Sequence, residues 1–148
     1  MKNSIAILAT VFLSLAAHAH TGVERGPNGG RILEFSNNET MHGEVIAKDG
    51  QFSIALLDKD MKPVVIKDQT LAATKGDREN PEKLKVEVKD NHFVVPLLKG
   101  DNYVIIFQYK DSEPAKKITA RLHYNTAICD GCEEQEWLCK CKPVTEKK

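Results

Sequence analysis

Alternation of apolar and polar side chains is the feature that most limits what this chain can become. In LKVEV, Leu84, Val86 and Val88 point one way while Lys85 and Glu87 point the other. A period of two is what a half-buried strand requires. HFVVPLL repeats it, with Phe93, Val95 and Leu97 on one face and Pro96 on the other. Proline cannot donate to a ladder, so this strand is expected at a sheet edge. YVIIFQY is apolar on both faces and reads as a central strand, and KITARLHY sets Ile118, Ala120, Leu122 and Tyr124 opposite Thr119, Arg121 and His123. RILEF, MHGEVIA, QFSIALL and PVVIK read as further strands.

Punctuation supports the pattern. Lys48-Asp49-Gly50-Gln51 is a tight hairpin turn, since Asp-Gly favours the positive φ angles such turns need. Lys89-Asp90-Asn91-His92 and Lys99-Gly100-Asp101-Asn102 are read as turns as well. Thr74 to Lys83 is polar, contains Pro81 and is expected to be a loop. Helical periodicity is absent except for a turn around Glu133 to Leu138. About eight short strands at regular spacing predict an all-β fold, an antiparallel β-sandwich with a cysteine-rich C-terminal appendage.

The chain opens MKNSIAILATVFLSLAAHAH. Lys2 gives a positive start, Ile5 to Leu15 forms a short apolar core, and Ala17-His18-Ala19 is a small-x-small cleavage site. Residues 1–19 therefore read as a secretory signal peptide. The apolar run is short for a membrane span, and no cysteine stands at the cut to carry a lipid. The expected product is a periplasmic or secreted protein without a membrane anchor, with a β-sandwich at 20–124 and a tail at 125–148. Removal of Lys2 leaves 20 basic against 21 acidic side chains. Such a balance lacks the basic face by which proteins displace counterions from nucleic acid.

Residues 26–34 read GPNGGRILE and residues 41–64 read MHGEVIAKDGQFSIALLDKDMKPV. Together they resemble the small N-terminal β-domain of periplasmic adaptor subunits of heavy-metal efflux pumps. They also resemble small secreted proteins of unassigned role that pair this opening with a cysteine-rich end. The resemblance spans about forty residues and implies a β-domain in a metal-handling setting. The chain has no room for an adaptor's long helical hairpin. It lacks the clustered methionines of a copper or silver relay, since Met41 and Met61 are the only two after the signal. A stand-alone domain is implied, not a pump component. The glycines have their own physical use: Gly26, Gly29 and Gly30 reach backbone angles closed to other residues. GPNGGR lacks a Gly-Lys-Ser/Thr ending and leads into a strand, which argues against a phosphate loop.

All four cysteines fall within CDGCEEQEWLCKC, residues 129–141. In one reading Cys129, Cys132, Cys139 and Cys141 are thiolate ligands of a single ion. Cys-x-x-Cys lets two sulfurs reach one ion across a turn, tetrahedral sulfur suits Zn²⁺, and Cys-x-Cys also suits Cu(I). In the second, they form two disulfides, the ordinary expectation outside the cytosol. Nested pairs Cys129–Cys141 and Cys132–Cys139 would then close a small hairpin that Trp137 and Leu138 anchor to the sandwich. In the third, Cys129-Asp130-Gly131-Cys132 is a redox dithiol. That needs a helix N-terminus or nearby positive charge to lower a thiol pKa, and the sequence offers neither.

Histidines offer a second candidate. Cleavage after Ala19 would make His20 the N-terminus, where amine and imidazole together chelate copper. His42, His92 and His123 are the available partners, each expected on the polar face of its strand. Met41 and His42 point to opposite faces and do not converge. No Gly-x-Ser-x-Gly or His-Glu-x-x-His motif occurs. The sequence predicts a non-enzymatic metal-binding or metal-delivery protein whose partners are a metal ion and another periplasmic protein. Its rival is a structural or interaction module with a disulfide-stapled tail.

Overall fold

A computed structural model describes residues 23–76 and 79–141. The expected signal peptide, His20 and the terminal Lys142, Lys147 and Lys148 lie outside these. The strands are β1 (Arg31–Glu34), β2 (Met41–Lys48), β3 (Gln51–Asp58), β4 (Thr70–Lys75), β5 (Glu82–Leu84), β6 (Glu87–Lys89), β7 (His92–Pro96), β8 (Asn102–Lys110) and β9 (Ile118–Asn125). They form two antiparallel sheets, ordered β1-β2-β3-β7-β6 and β5-β4-β8-β9. Inward side chains of both sheets build one core. Val45, Phe52, Ile54, Leu56, Phe93 and Val95 meet Leu71, Ile105, Phe107, Tyr109 and Leu122. Phe35 stacks on Tyr109 at 4.8 Å between ring centroids.

The hairpin turns follow the expected chemistry. Asp49 and Gly50 hold φ of 51° and 75° between β2 and β3, and Asp90 and Asn91 hold 49° and 62° between β6 and β7. Paired positive φ angles match the right-handed twist of the flanking strands.

Several expectations need correction. LKVEV is not one strand. Leu84 ends β5 in one sheet and Glu87 begins β6 in the other, so the chain changes sheets at Lys85-Val86. Leu84 and Val86 still pack on the core, whereas Val88 is exposed. β7 is not the edge either, because β6 lies outside it. β6 pairs only as far as Val94, so Pro96 meets no ladder on that side. PVVIK forms no strand: it is tethered by a bridge from Leu57 to Pro63 and by the Val64 amide on Leu56 O at 2.8 Å. The predicted loop at 74–83 is trimmed at both ends by β4 and β5.

β2 departs most from simple alternation, since His42, Gly43, Glu44 and Val45 are all buried. Val45 faces the core. Glu44 lies on the opposite face, under the Gly26–Gly30 loop, and is 1% exposed. Its carboxylate accepts hydrogen bonds from the Asn28 amide at 2.8 Å, Asn28 Nδ2 at 2.8 Å and the Gly30 amide at 3.0 Å. This close approach explains the glycines. A Cβ on Gly26 would sit 2.5 Å from Glu44 Cδ, and one on Gly30 would sit 2.5 Å from Val45 O. Of these three glycines, only Gly29 is positive in φ, at 81°.

His42 is likewise buried, against the expectation that it lies on an open polar face. It pairs across β2 with Glu34 on one side and with the fully buried Leu57 on the other. The outer face of β2 is covered at His42 and Glu44, so these two polar positions do not reach water, whereas Lys48 at the strand's end does.

Replacement of Glu44 leaves the loop's buried amides without an acceptor. Glu44→Ala is expected to cost about 2–4 kcal/mol of folding stability, read as a lower urea midpoint at unchanged slope.

Candidate metal centre

The cysteine segment is a small hairpin with a turn beneath it. Ile128 bridges Gln135, the Cys129 amide donates to Glu134 O at 2.8 Å, and the Glu136 amide donates to Ala127 O at 2.8 Å. At its tip the amides of Cys132 and Glu133 both donate to Cys129 O, at 3.4 and 2.9 Å. Glu133 takes a positive φ of 59° to close that tip. A Cβ on Gly131 would lie 3.0 Å from Cys141 Sγ, so the glycine lets the later sulfur approach. A single 3₁₀ turn at Glu136–Leu138 follows, inside the span where the sequence predicts one, and returns Cys139 and Cys141 to the tip.

The four Sγ atoms lie within 4.8 Å of one another. Cys129 to Cys139 is 3.2 Å, Cys132 to Cys139 is 3.4 Å and Cys129 to Cys141 is 3.8 Å. A disulfide needs about 2.05 Å between sulfurs. The nested disulfides are therefore not what the structure contains, and all four cysteines are free. Zn–S bonds of about 2.3 Å in a tetrahedron set sulfur–sulfur edges of roughly 3.8 Å, near the observed spacing. The cluster is arranged so that it can hold a metal ion.

Cys129 and Cys139 are buried, whereas Cys132 and Cys141 reach the surface. The Glu134 amide, chiefly, lowers the pKa of Cys132. At Cys139 the Cys141 amide lowers the pKa, but burial and the three neighbouring sulfurs together outweigh it and push it up to about 12. At Cys141 the Cys139 thiol lowers the pKa, yet Cys132, Cys129 and burial raise it on balance. Packed sulfurs resist becoming anions together unless a cation is placed among them.

The hairpin is docked on the sandwich by residues far away in sequence. Trp137 is 4% exposed, and its ring centroid lies 5.2 Å from Tyr124 and 6.5 Å from Phe52. Its indole N–H donates to Gln135 Oε1 at 2.7 Å. Leu138 packs on the same core. The Val23 amide donates to Cys139 O at 2.8 Å, and Arg31 Nη1 reaches Trp137 O at 3.4 Å. Arg25 Nε donates to Gly29 O at 2.9 Å while its Nη1 pairs with Glu134 at 3.1 Å. Arg25 thus joins the glycine loop to the cysteine hairpin. Sequence reasoning missed Val23, Arg25, Arg31 and Glu44, whose roles exist only as pairings with distant residues.

Among the described residues, the four cysteines are the group of His, Cys, Asp and Glu side chains spaced to share an ion. The histidines do not join them. His42 Nδ1 lies 3.3 Å from Glu34 Oε2, His92 Nδ1 lies 2.7 Å from Asp90 O, and His123 stands exposed on β9. No protein-family model, curated protein or solved structure matches the chain.

Two predictions follow from this geometry. Cys139 and Cys141 hold their protons at neutral pH, so an incoming ion must displace them. Zn²⁺ affinity should fall steeply as pH is lowered, by at least about a hundredfold per pH unit since these two protons at a minimum are displaced, with matching acid release in weakly buffered titrations. Trp137→Ala removes the anchor under the hairpin. It is expected to cost about 3–5 kcal/mol and to open residues 126–141 to limited proteolysis.

Proposed function

We propose that this protein is exported, is not an enzyme, and binds a single thiophilic metal ion through Cys129, Cys132, Cys139 and Cys141. The observation that carries this reading is the convergence of four unbridged sulfurs within 4.8 Å. Four sulfurs in a closed set favour Zn²⁺, with Cu(I) as the other ion that thiolates select. The leader-like residues 1–19 and the resemblance to efflux-adaptor β-domains support a periplasmic setting where metals are passed between proteins. Cys132 and Cys141, at the surface, form the edge from which a partner's thiolate would displace the ion; delivery to another periplasmic protein is the role we assign.

Native mass spectrometry of protein taken from its own compartment, without reductant or chelator, tests the reading. The expected result is one added metal mass that acidification removes, leaving four titratable thiols. Each single Cys→Ser change should lower metal affinity at least a hundredfold. A mass short of two hydrogens per bridge, with no metal, would replace the cage with a disulfide-stapled module and sink the proposal.

A further inference from the structure

The outer face of the β4-β8-β9 sheet carries a second feature, independent of the cysteines. A strand with one solvated face alternates apolar and polar residues. β8 does not: Tyr103, Ile105 and Phe107 fill the core, yet Val104 and Ile106 on the opposite face are apolar too. Their neighbours on β9 are cationic or polar. Ile106 pairs with Arg121, and Val104 pairs with His123. On the other side Ile106 pairs with Thr74, and the Gly76 amide donates to Val104 O at 3.3 Å.

These residues line a cleft of about 490 Å³, bounded by Lys75 and Gly76 at one end and by Arg121 and His123 along one side. Lys75 Nζ stands 5.9 Å from the Tyr103 ring centroid. Among the described residues no carboxylate lines it. Among the described residues Arg121 has no acidic partner, although Lys59, Lys85 and Lys110 each have one, while Lys75 stands directly opposite Glu82 in the β4–β5 register. An apolar floor beside the Arg121 guanidinium is complementary to a molecule with an apolar body and one anionic head. Exposed lysine and arginine normally find solvent or a nearby acid. Here the guanidinium of Arg121 is set beside an isoleucine that gains nothing from water.

We propose that this cleft binds a small amphipathic anion, a carboxylate or phosphate on a short alkyl or aromatic body. The apolar part lies on Val104 and Ile106, and the head meets Arg121. His123, paired with Val104, adds a hydrogen-bonding ring.

Octanoate and octan-1-ol are the probes, titrated into the folded protein and followed by amide NMR shifts. Octanoate should saturate with a Kd on the order of a millimolar or tighter, with shifts centred on Val104, Ile106, Arg121 and His123. The alcohol, with the same chain and no charge, should bind at least tenfold more weakly. Arg121→Gln should weaken octanoate about tenfold and leave the alcohol unchanged. Ile106→Thr, which keeps a strand-favouring residue, should weaken both. Neither change should alter the metal content of the cysteine cluster. The proposal is overturned by shifts that do not saturate or fall elsewhere, or by an Arg121→Gln variant that binds octanoate as before. It is equally overturned if the protein sediments with vesicles of anionic lipid but ignores octanoate, for the face would then be a membrane-contact surface.

Discussion

The buried carboxylate of Glu44 organises this molecule more than any other single group. A charge at 1% exposure is tolerated only where hydrogen bonds replace water, and three donors from Asn28 and Gly30 do so. To supply them the chain must fold tightly over the outside of β2, which demands glycine at 26 and 30. That fold in turn sets the course of Val23 and Arg25, which run beside the cysteine hairpin. The GPNGG opening and the cysteine-rich end, at opposite ends of the described chain, are therefore parts of one local structure.

The hairpin gains rigidity from the opposite direction as well. It has few apolar residues of its own and borrows the sandwich core through Trp137, wedged against Tyr124 and Phe52. Burial of an indole supplies order that a segment of acidic residues and cysteines lacks. The sulfurs are consequently held in register by the fold on one side and remain open to solvent at Cys132 and Cys141 on the other. Rigidity favours a defined arrangement of the four sulfurs, two of them within reach of solvent.

The sandwich was legible because alternation is a local property: KITARLHY and QFSIALL declare their buried faces residue by residue. Alternation states which side chains share a face but not which sheet a strand joins, so LKVEV reads as one strand although it bridges two sheets. β4, sequence TLAATK, lacks contrast because alanine and threonine differ little in polarity. Glu44 sits at a polar position whose water is excluded by a loop that alternation cannot see, and His42 is buried two residues before it. Clustering of the cysteines was plain in the sequence, but metal ligation and disulfide pairing share the same spacing. Only the distances between sulfurs separate them.

One hydrogen bond, from the Val23 amide to Cys139 O, has a consequence for how the protein is made. The cysteine knuckle is local, closing a loop of thirteen residues, and a short loop closes rapidly. Its attachment to Val23 spans nearly the whole described chain, and such distant contacts form slowly. During synthesis the partner of Val23 emerges last. Glu24 and Arg25 can pair locally with β1, but the Val23 amide must wait until the final strand and the knuckle have been released. Assembly therefore has an order: the contact that ties the opening of the described chain to its end is among the last that can form, and it closes the molecule.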